Sequence, residues 1–488
     1  MVKKISAESK NIYIVTGTIL LATLFYWTNV FGFDEPAIKV LSVALLMIIL
    51  WISDAVPMPV VALMPLILFP VLKINGLEDT SKSYANPVIF LFLGGFVLGL
   101  AIEKWNLHKR IALNIINATG TKGDRIVLGF IISTGLLSMW LSNTATTMMM
   151  YPIALSVIAV MADQNDKTGN HAAFKLTIML AIAYASNIGG IATIIGTPPN
   201  VAYIAFYENK YGTPIDFVSW MMLCLPVAVL LLLALYFVMV KWLYPNHIQS
   251  SGNTNAYIRE EINQIGPMSI AEKRVLGVFL MTASLWIFRS MINNTQTLIK
   301  LDDTIIAVFG AVCLFILPSG STKSQKYQPL LVWEDTNRMA WGILLLFGGG
   351  ICLADALEKA GLISALGTWL AGFSSGVWVM ILLITVLSIF ISEVMSNVAQ
   401  VIVFAPVVTS IAEAMHVNPI LFGIPMTLAA SCAGMLPMGT PPNAIVFASN
   451  HIRMKDMIKV GFVMNLISIV IITLFVIYVV PMIFGGEG

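Results

Sequence analysis

Apolar runs of about 20 residues follow one another along the whole of this chain, and each is long enough to cross a ~30 Å hydrocarbon core as a helix. Closed barrels also span membranes, but their strands alternate apolar and polar residues. Runs such as 63–71 and 229–239 do not alternate. In lipid the backbone must satisfy its own polar groups, which leaves the helix as the spanning element. Composition agrees: 58% of the 488 residues are hydrophobic and 11% are charged, too little charge to cover the surface of a soluble protein of this size. The fold class is therefore an all-α polytopic membrane protein.

Eleven spans are expected, at 11–33, 38–53, 57–73, 87–103, 174–209, 216–243, 275–293, 303–317, 341–358, 418–450 and 457–484. The first is too long for a cleaved leader and has no small-x-small site after it. Two more apolar stretches, 125–162 and 374–414, are too long for one crossing, and a Ser-Asn pair interrupts each in its middle. Such a break fits a re-entrant hairpin, two half-helices meeting at a tip, which membranes tolerate only where protein or a wet cavity surrounds it. The short amphipathic stretches 106–118 and 362–373 read as helices lying in the interface plane. The loop 244–274 is the longest polar stretch and joins the two halves.

Charge orients this arrangement. With the N-terminus in the cytoplasm, only Lys39, Lys73, Lys82, Lys210, Arg289, Lys300 and Lys359 of the 27 Lys and Arg fall outside. That bias follows the positive-inside rule. It holds only if neither hairpin changes side, and it puts the C-terminus outside the cell membrane. The four cysteines (Cys224, Cys313, Cys352, Cys432) share no C-x-x-C spacing and read as free thiols. The histidines have no metal-ligand spacing. Neither G-x-S-x-G, H-E-x-x-H nor a phosphate loop occurs, so an enzyme is not expected. Neither a cofactor nor a nucleic-acid partner is expected.

Self-comparison adds the strongest constraint. Gly94-Gly95 followed by Ala101-Ile102-Glu103-Lys104 returns as Gly349-Gly350 followed by Ala356-Leu357-Glu358-Lys359. Leu141-Ser142-Asn143-Thr144-Ala145 returns as Met395-Ser396-Asn397-Val398-Ala399, and Pro152 as Pro406. Gly196-Thr197-Pro198-Pro199-Asn200 returns as Gly439-Thr440-Pro441-Pro442-Asn443. An odd number of crossings separates each pair, so the halves are inverted in the membrane. Inverted repeats are the architecture of secondary transporters, with the site at the repeat interface. The absence of a charged pore ring argues against a channel. The expected division is 1–36 as the first span, 37–243 and 275–488 as the repeats, and 244–274 as a cytoplasmic linker. Scaffold spans would occupy 37–118 and 275–373, and hairpin and transport spans 119–243 and 374–488.

The repeated blocks are polar interruptions, and their residues suit helix breaks. Gly196 fits a left-handed helix end, Thr197 a cap on the next helix, and Pro198 its first turn. Gly439, Thr440 and Pro441 repeat this logic. Each break exposes amide hydrogens, which attract anions, and carbonyls, which attract cations. Four breaks brought together would hold an anion flanked by cations, with Ser, Thr and Asn completing the shells. No Lys or Arg lies near a break in the sequence. Gly94-Gly95 and Gly348-Gly349-Gly350 suit close helix packing. Glu393, three residues before Ser396, is open to two roles, structural pairing or ion coupling. Its repeat equivalent is Met139, so a symmetric role is excluded.

Along nearly its whole length the chain resembles the divalent anion/sodium symporter family, on its two Ser-Asn-Thr-type tips, each followed by a Gly-Thr-Pro-Pro-type break. The resemblance implies a homodimer in the lipid bilayer, eleven spans, and a transport domain that slides like an elevator along a scaffold. It implies a small-molecule dicarboxylate as solute and Na+ as coupling ion, although the family also holds sodium-independent exchangers and carriers of citrate or sulfate. By motif, Ser142, Asn143, Thr144, Ser396 and Asn397 would contact substrate carboxylates. Thr197, Pro198, Val398, Thr440 and Pro441, in the same tips and breaks, complete the candidate substrate-binding set. Asn143 with carbonyls near Ser138, Ser142 and Gly196 would form one sodium site. Asn397 with carbonyls near Ser392, Met395 and Gly439 would form the other. The second tip departs from the pattern, because Val398 lacks the hydroxyl of Thr144.

The topology is directly testable. In a background without the native cysteines, Asn255→Cys and Gly488→Cys should react with an impermeant maleimide from opposite faces of the membrane. Labelling from one face would mean a miscounted span.

Overall fold

The structure is a computed structural model that describes residues 7–29, 32–53, 55–120, 122–161, 170–245, 252–296, 299–320, 327–362, 365, 376–449 and 451–484. Among these residues the regular structure is helical, apart from an isolated antiparallel bridge between Pro318 and Pro329. Ten helices among the described residues are long and apolar enough to cross a membrane. Most coincide with expected spans, including Glu35–Ser53, Ile270–Thr295, Trp341–Lys359 and Met454–Phe484.

The departures have local causes. The expected span 57–73 is two short helices, Met58–Val61 and Met64–Val71, because Pro59 and Pro65 each start a new first turn. The span at 303–317 is the helix Asp303–Ile316, only about 21 Å long. The two stretches assigned to hairpins each break where the Ser-Asn pairs stand. The first divides into Gly123–Ser138 and Asn143–Met161, the second into Val377–Ile391 and Asn397–Ala414. In both, the second arm is itself long enough to be a candidate span, so length alone does not mark a hairpin. The spans drawn at 174–209 and 418–450 also divide. They become Asn170–Gly190 with Pro198–Tyr211, and Ile420–Ser431 with Pro441–Phe447.

The stretch 106–118 forms the helix Leu107–Thr119, entered through a left-handed Asn106 (φ 56°). It buries Leu107, Ala112, Leu113 and Ile116. Its partner at 362–373 lies outside the described residues, except Leu362 and Ala365. The polar linker is not all loop, since it holds the helix Gly252–Ile265. Two cations of the helix Leu107–Thr119 fasten that linker. Lys109 pairs with Glu261 at 2.9 Å, and Arg110 pairs with Glu272 at 2.9 Å while donating to the carbonyl of Gly266 at 2.8 Å.

Glycine permits close backbone approaches between the two halves. A Cβ on Gly94 would lie 2.6 Å from the Ala307 carbonyl carbon, and one on Gly349 would lie 2.8 Å from Ala62 Cα. Gly94 thus packs on a span of the second half, and Gly349 on a span of the first. The neighbouring glycines face elsewhere: Gly95 meets the Ile195 side chain and Gly350 meets Ile402. Packing of this kind is what drives helix association in lipid, where no hydrophobic force acts between helices.

Gly349→Ala should therefore destabilise the fold by about 1–3 kcal/mol, the usual cost of overpacking. Gly277, on the span Ile270–Thr295, has nothing within 4 Å of an added Cβ. There the same substitution should be neutral or mildly stabilising. Thermal unfolding of both variants in detergent checks the ordering, and equal melting temperatures would refute it.

Candidate functional site

The first tip and the first break close on each other. Helix Gly123–Ser138 ends, and the chain turns through 139–142 before Asn143 starts the next helix. Ser138 Oγ donates to Asn143 Oδ1 at 2.8 Å. Asn143 Nδ2 donates to Thr197 Oγ1 at 3.3 Å and to Asn187 Oδ1 at 3.4 Å. The amide of Ala145 donates to Ser142 Oγ at 3.3 Å, so Ser142 caps the second arm. Gly196 sits directly against the Ser138 carbonyl, which an added Cβ would approach to 3.0 Å. Six of the candidate residues, Ser138, Ser142, Asn143, Gly196, Thr197 and Pro198, are thus gathered within one turn of a helix end, with Thr144 next to them.

Two expectations about the first break are corrected here. Gly196 is not left-handed, because the helix before it ends at Gly190 and a stretch of turn intervenes. Glycine is needed there for close approach to the carbonyls of Gly190 and Ser138. Thr197 occupies the N-cap position but makes no side-chain cap. Its hydroxyl is engaged by Asn143 instead. Asn200 stabilises this turn from inside, donating to the carbonyls of Gly190, Ile191 and Thr193. Pro198 stands in the first turn as expected.

The second set repeats the core of this arrangement. Ser392 Oγ lies 2.7 Å from Asn397 Oδ1 and 2.7 Å from the carbonyl of Ala430. Gly439, which is not left-handed either, packs against the Ser392 carbonyl, 3.4 Å from an ideal Cβ. Here the threonine does cap: the amide of Asn443 donates to Thr440 Oγ1 at 3.4 Å. Ser396, Asn397 and Val398 are half-buried, Met395 is buried, and Pro441 is exposed. The amide nitrogen of Asn397 has no hydrogen-bond partner among the described residues, unlike that of Asn143.

Glu393 is buried and fully occupied. Its two carboxylate oxygens accept from the backbone amides of Gly434, Met435 and Leu436 at 2.9–3.0 Å and from Asn465 Nδ2 at 2.8 Å. These amides belong to the turn that follows helix Ile420–Ser431. The geometry is that of a carboxylate enclosed by neutral amide donors.

One residue that no sequence motif singles out joins the two sets. Asn187, in the last turn of Asn170–Gly190, accepts from Asn143 and donates to Thr440 Oγ1 at 3.0 Å and Asn443 Oδ1 at 3.4 Å. A weak repeat does surround it: Ser186, Asn187 and Gly189 stand where Ser431, Cys432 and Gly434 stand in the second half. Because Cys432 is not an amide, the repeat draws no attention to Asn187.

The chain matches known proteins along almost its full length. The profile of the sodium:sulfate symporter transmembrane region covers residues 8–484. The sodium-dependent dicarboxylate transporter SdcS of Staphylococcus saprophyticus is 38% identical over 488 residues, 98% of this chain and 93% of the relative. The transporter of that name from Staphylococcus aureus is 37% identical over 486 residues, covering 96% and 92%. Among solved structures, the YdaH transporter of Alcanivorax borkumensis superposes with a TM-score of 0.57 at 14% identity, covering 84% of this chain and 89% of its own. MtrF of Neisseria gonorrhoeae does so at 0.54 and 12%, covering 83% and 84%. At such identities these two likenesses concern the fold alone.

Asn143→Ala and Asn397→Ala each remove a side-chain oxygen held at a helix end by a serine. If these oxygens and amides hold ligands, each substitution should lower solute uptake by about ten- to a hundredfold, the range for a hydrogen bond to a charged partner. Folded protein should still reach the membrane. Wild-type rates in both variants would remove these tips from the site.

Proposed function

Because this chain belongs to the sodium:sulfate symporter family, the divalent anion/sodium symporters, we propose that it imports C4-type dicarboxylates such as succinate, malate and fumarate together with sodium. Membership makes it a multi-pass membrane transporter and not an enzyme. The wider solute range of the proposal includes 2-oxoglutarate, with citrate and sulfate as poorer fits.

One observation carries the reading. Each tip brings an asparagine side-chain oxygen to a helix end with a serine, at 2.8 Å and 2.7 Å, and a glycine beside that serine's carbonyl, tight at Gly196 and in ordinary contact at Gly439. Oxygen ligands from side-chain amides, hydroxyls and carbonyls suit a hard cation. Sodium at Ser138, Ser142, Asn143 and Gly196, and at Ser392, Met395, Asn397 and Gly439, would offset the charge of a dianion that meets no Lys or Arg. The groups left for carboxylates are the hydroxyls of Thr144 and Ser396, the amide of Asn397, and the helix starts at Ser142, Thr197–Pro198 and Thr440–Pro441. Two separated tips match two carboxylates better than one compact sulfate. Val398 makes one end of the site poorer in donors, so the two carboxylates would be held unequally.

The same reading takes 37–118 and 275–373 as scaffold and 119–243 and 374–488 as moving parts, in a homodimer with a cytoplasmic N-terminus and an extracellular C-terminus. The reciprocal glycine contacts support two inverted halves. On this division the contacts of Gly95 with Ile195 and Gly350 with Ile402 lie between scaffold and moving parts. So does the ion pair of Lys210 with Glu358 at 3.2 Å, while Lys210 also holds Glu413 at 3.0 Å. An elevator movement would have to break the first of these pairs.

Reconstituted vesicles test the coupling. An inward sodium gradient should drive succinate uptake into empty vesicles, and choline should not. Uptake that ignores sodium and demands internal dicarboxylate would replace the symporter with an exchanger.

A further inference from the structure

We propose that Asn187 is a positioning residue that couples the first cation site to the opposite half of the substrate site, which makes it a determinant of how strongly sodium raises affinity for the dicarboxylate. The inference rests on the sodium-coupled reading above and adds to it a path and a direction.

The path is a chain of hydrogen bonds across the junction of the two halves. Asn143 Oδ1 belongs to the first cation set and is held by Ser138 at 2.8 Å. The same amide group donates from Nδ2 to Asn187 Oδ1 at 3.4 Å. Asn187 then donates from Nδ2 to Thr440 Oγ1 at 3.0 Å and to Asn443 Oδ1 at 3.4 Å. Asn187 is 3% exposed, so water does not compete for these groups. Thr440 in turn accepts from the amide of Asn443 and starts the second break. Occupancy at one end can therefore change donor strength and position at the other.

The chemistry of an amide makes the relay work. A cation on Asn143 Oδ1 draws electron density from the amide and makes Nδ2–H a stronger donor. Its hydrogen bond to Asn187, long in this structure, would tighten. Polarised in its turn, Asn187 would grip Thr440 and Asn443 more firmly, since hydrogen bonds in a chain reinforce one another in a low dielectric. Thr440 is thereby held in the geometry that presents its helix start to the anion.

The direction comes from a broken symmetry. The repeat places Cys432 where Asn187 stands. A thiol is a weak donor and a weak acceptor and cannot accept from one amide while donating to two oxygens. No hydrogen bond among the described residues joins Asn397 to Thr197 or Asn200. The first tip thus reaches across to the second break, and the second tip does not reach back. The sodium ion at Asn143 should therefore dominate the coupling.

The test is linkage, measured on the full-length protein with sodium and succinate as the probes. The quantity is the factor by which saturating sodium lowers the succinate half-saturation constant relative to low sodium. For the wild type a factor of about 5–150 is expected. Asn187→Cys, which copies the second half, and Asn187→Ala should reduce that factor at least about fivefold, toward the lower bound of that range or below it. Succinate affinity at low sodium should stay close to wild type. If the alanine variant does not fold, the cysteine variant carries the test, because a thiol fits the equivalent position. A wild-type factor in a folded variant overturns the inference. So does an equal loss of affinity at low and high sodium, which would mark Asn187 as structural only. A wild type without any sodium effect would sink the sodium-coupled reading itself, and this inference with it.

Discussion

An interrupted helix at membrane depth must find partners for every amide and carbonyl that the interruption frees, because hydrocarbon supplies none. Much of the polar chemistry of this protein answers that demand. In the first half, Asn200 donates to three carbonyls of the turn after Gly190, and Trp220 donates to Ile191. In the second half, Glu393 accepts from three consecutive amides of the corresponding turn. Both halves satisfy freed carbonyls with the asparagine of the break, Asn443 donating to Leu436 at 3.2 Å as Asn200 does in the first half, and only the second half adds a carboxylate for its freed amides. The repeat keeps the asparagine donor and differs in the carboxylate.

That difference explains why the halves are chemically unequal. Thr147 bonds Ser186 at 2.8 Å, but its equivalent is Val401, and Ser431, the counterpart of Ser186, has no side-chain partner among the described residues. Thr144 is replaced by Val398, and Asn187 by Cys432. The first tip thus carries hydroxyl and amide contacts that the second lacks, while the second carries its own, with Gln400 Nε2 donating to Ser388 Oγ at 2.6 Å and Ser392 Oγ 2.7 Å from Asn397 Oδ1. A site built from such halves is pseudo-symmetric in outline and polarised in its hydrogen bonding. On the proposed reading, a symmetric dianion would meet two chemically distinct ends.

The frame around the breaks uses a different principle. Where helices must approach within backbone contact, glycine stands, as at Gly94 against Ala307 and Gly349 against Ala62. Each half supplies the glycine for one contact and the neighbouring span for the other. At the polar edge, charge replaces close packing: Arg110 ties the helix Leu107–Thr119 to the linker and to the next span through Gly266 and Glu272. Arg289 and Asp303, paired at 2.9 Å, join Ile270–Thr295 to the short helix after it, and Asp303 also accepts from the amide of Phe217. These corners surround breaks whose own hydrogen bonds run from 2.7 Å between Ser392 and Asn397 to 3.4 Å between Asn143 and Asn187.

Much of this was legible in the chain itself. Hydropathy alone determines helices in a membrane, since no other element can repeat at that length in lipid. Ser-Asn and Gly-Thr-Pro-Pro within apolar runs locate the breaks, because Pro and capping residues are local in their effect. Self-similarity locates the partners of each break. What hydropathy could not supply was contact between residues distant in sequence. Thr197 reads as a cap, yet Asn143, 54 residues away, takes its hydroxyl. Gly196 reads as a left-handed helix end, yet close approach to two carbonyls is what requires it. Glu393 is a lone carboxylate in an apolar run until the fold brings the amides of 434–436 around it. Asn187 is an ordinary polar residue in a helix until the fold lays it between Asn143 and Thr440. Backbone breaks follow from local chemistry, whereas the identity of a hydrogen-bond partner depends on which helices pack together, and only the tertiary structure decides that.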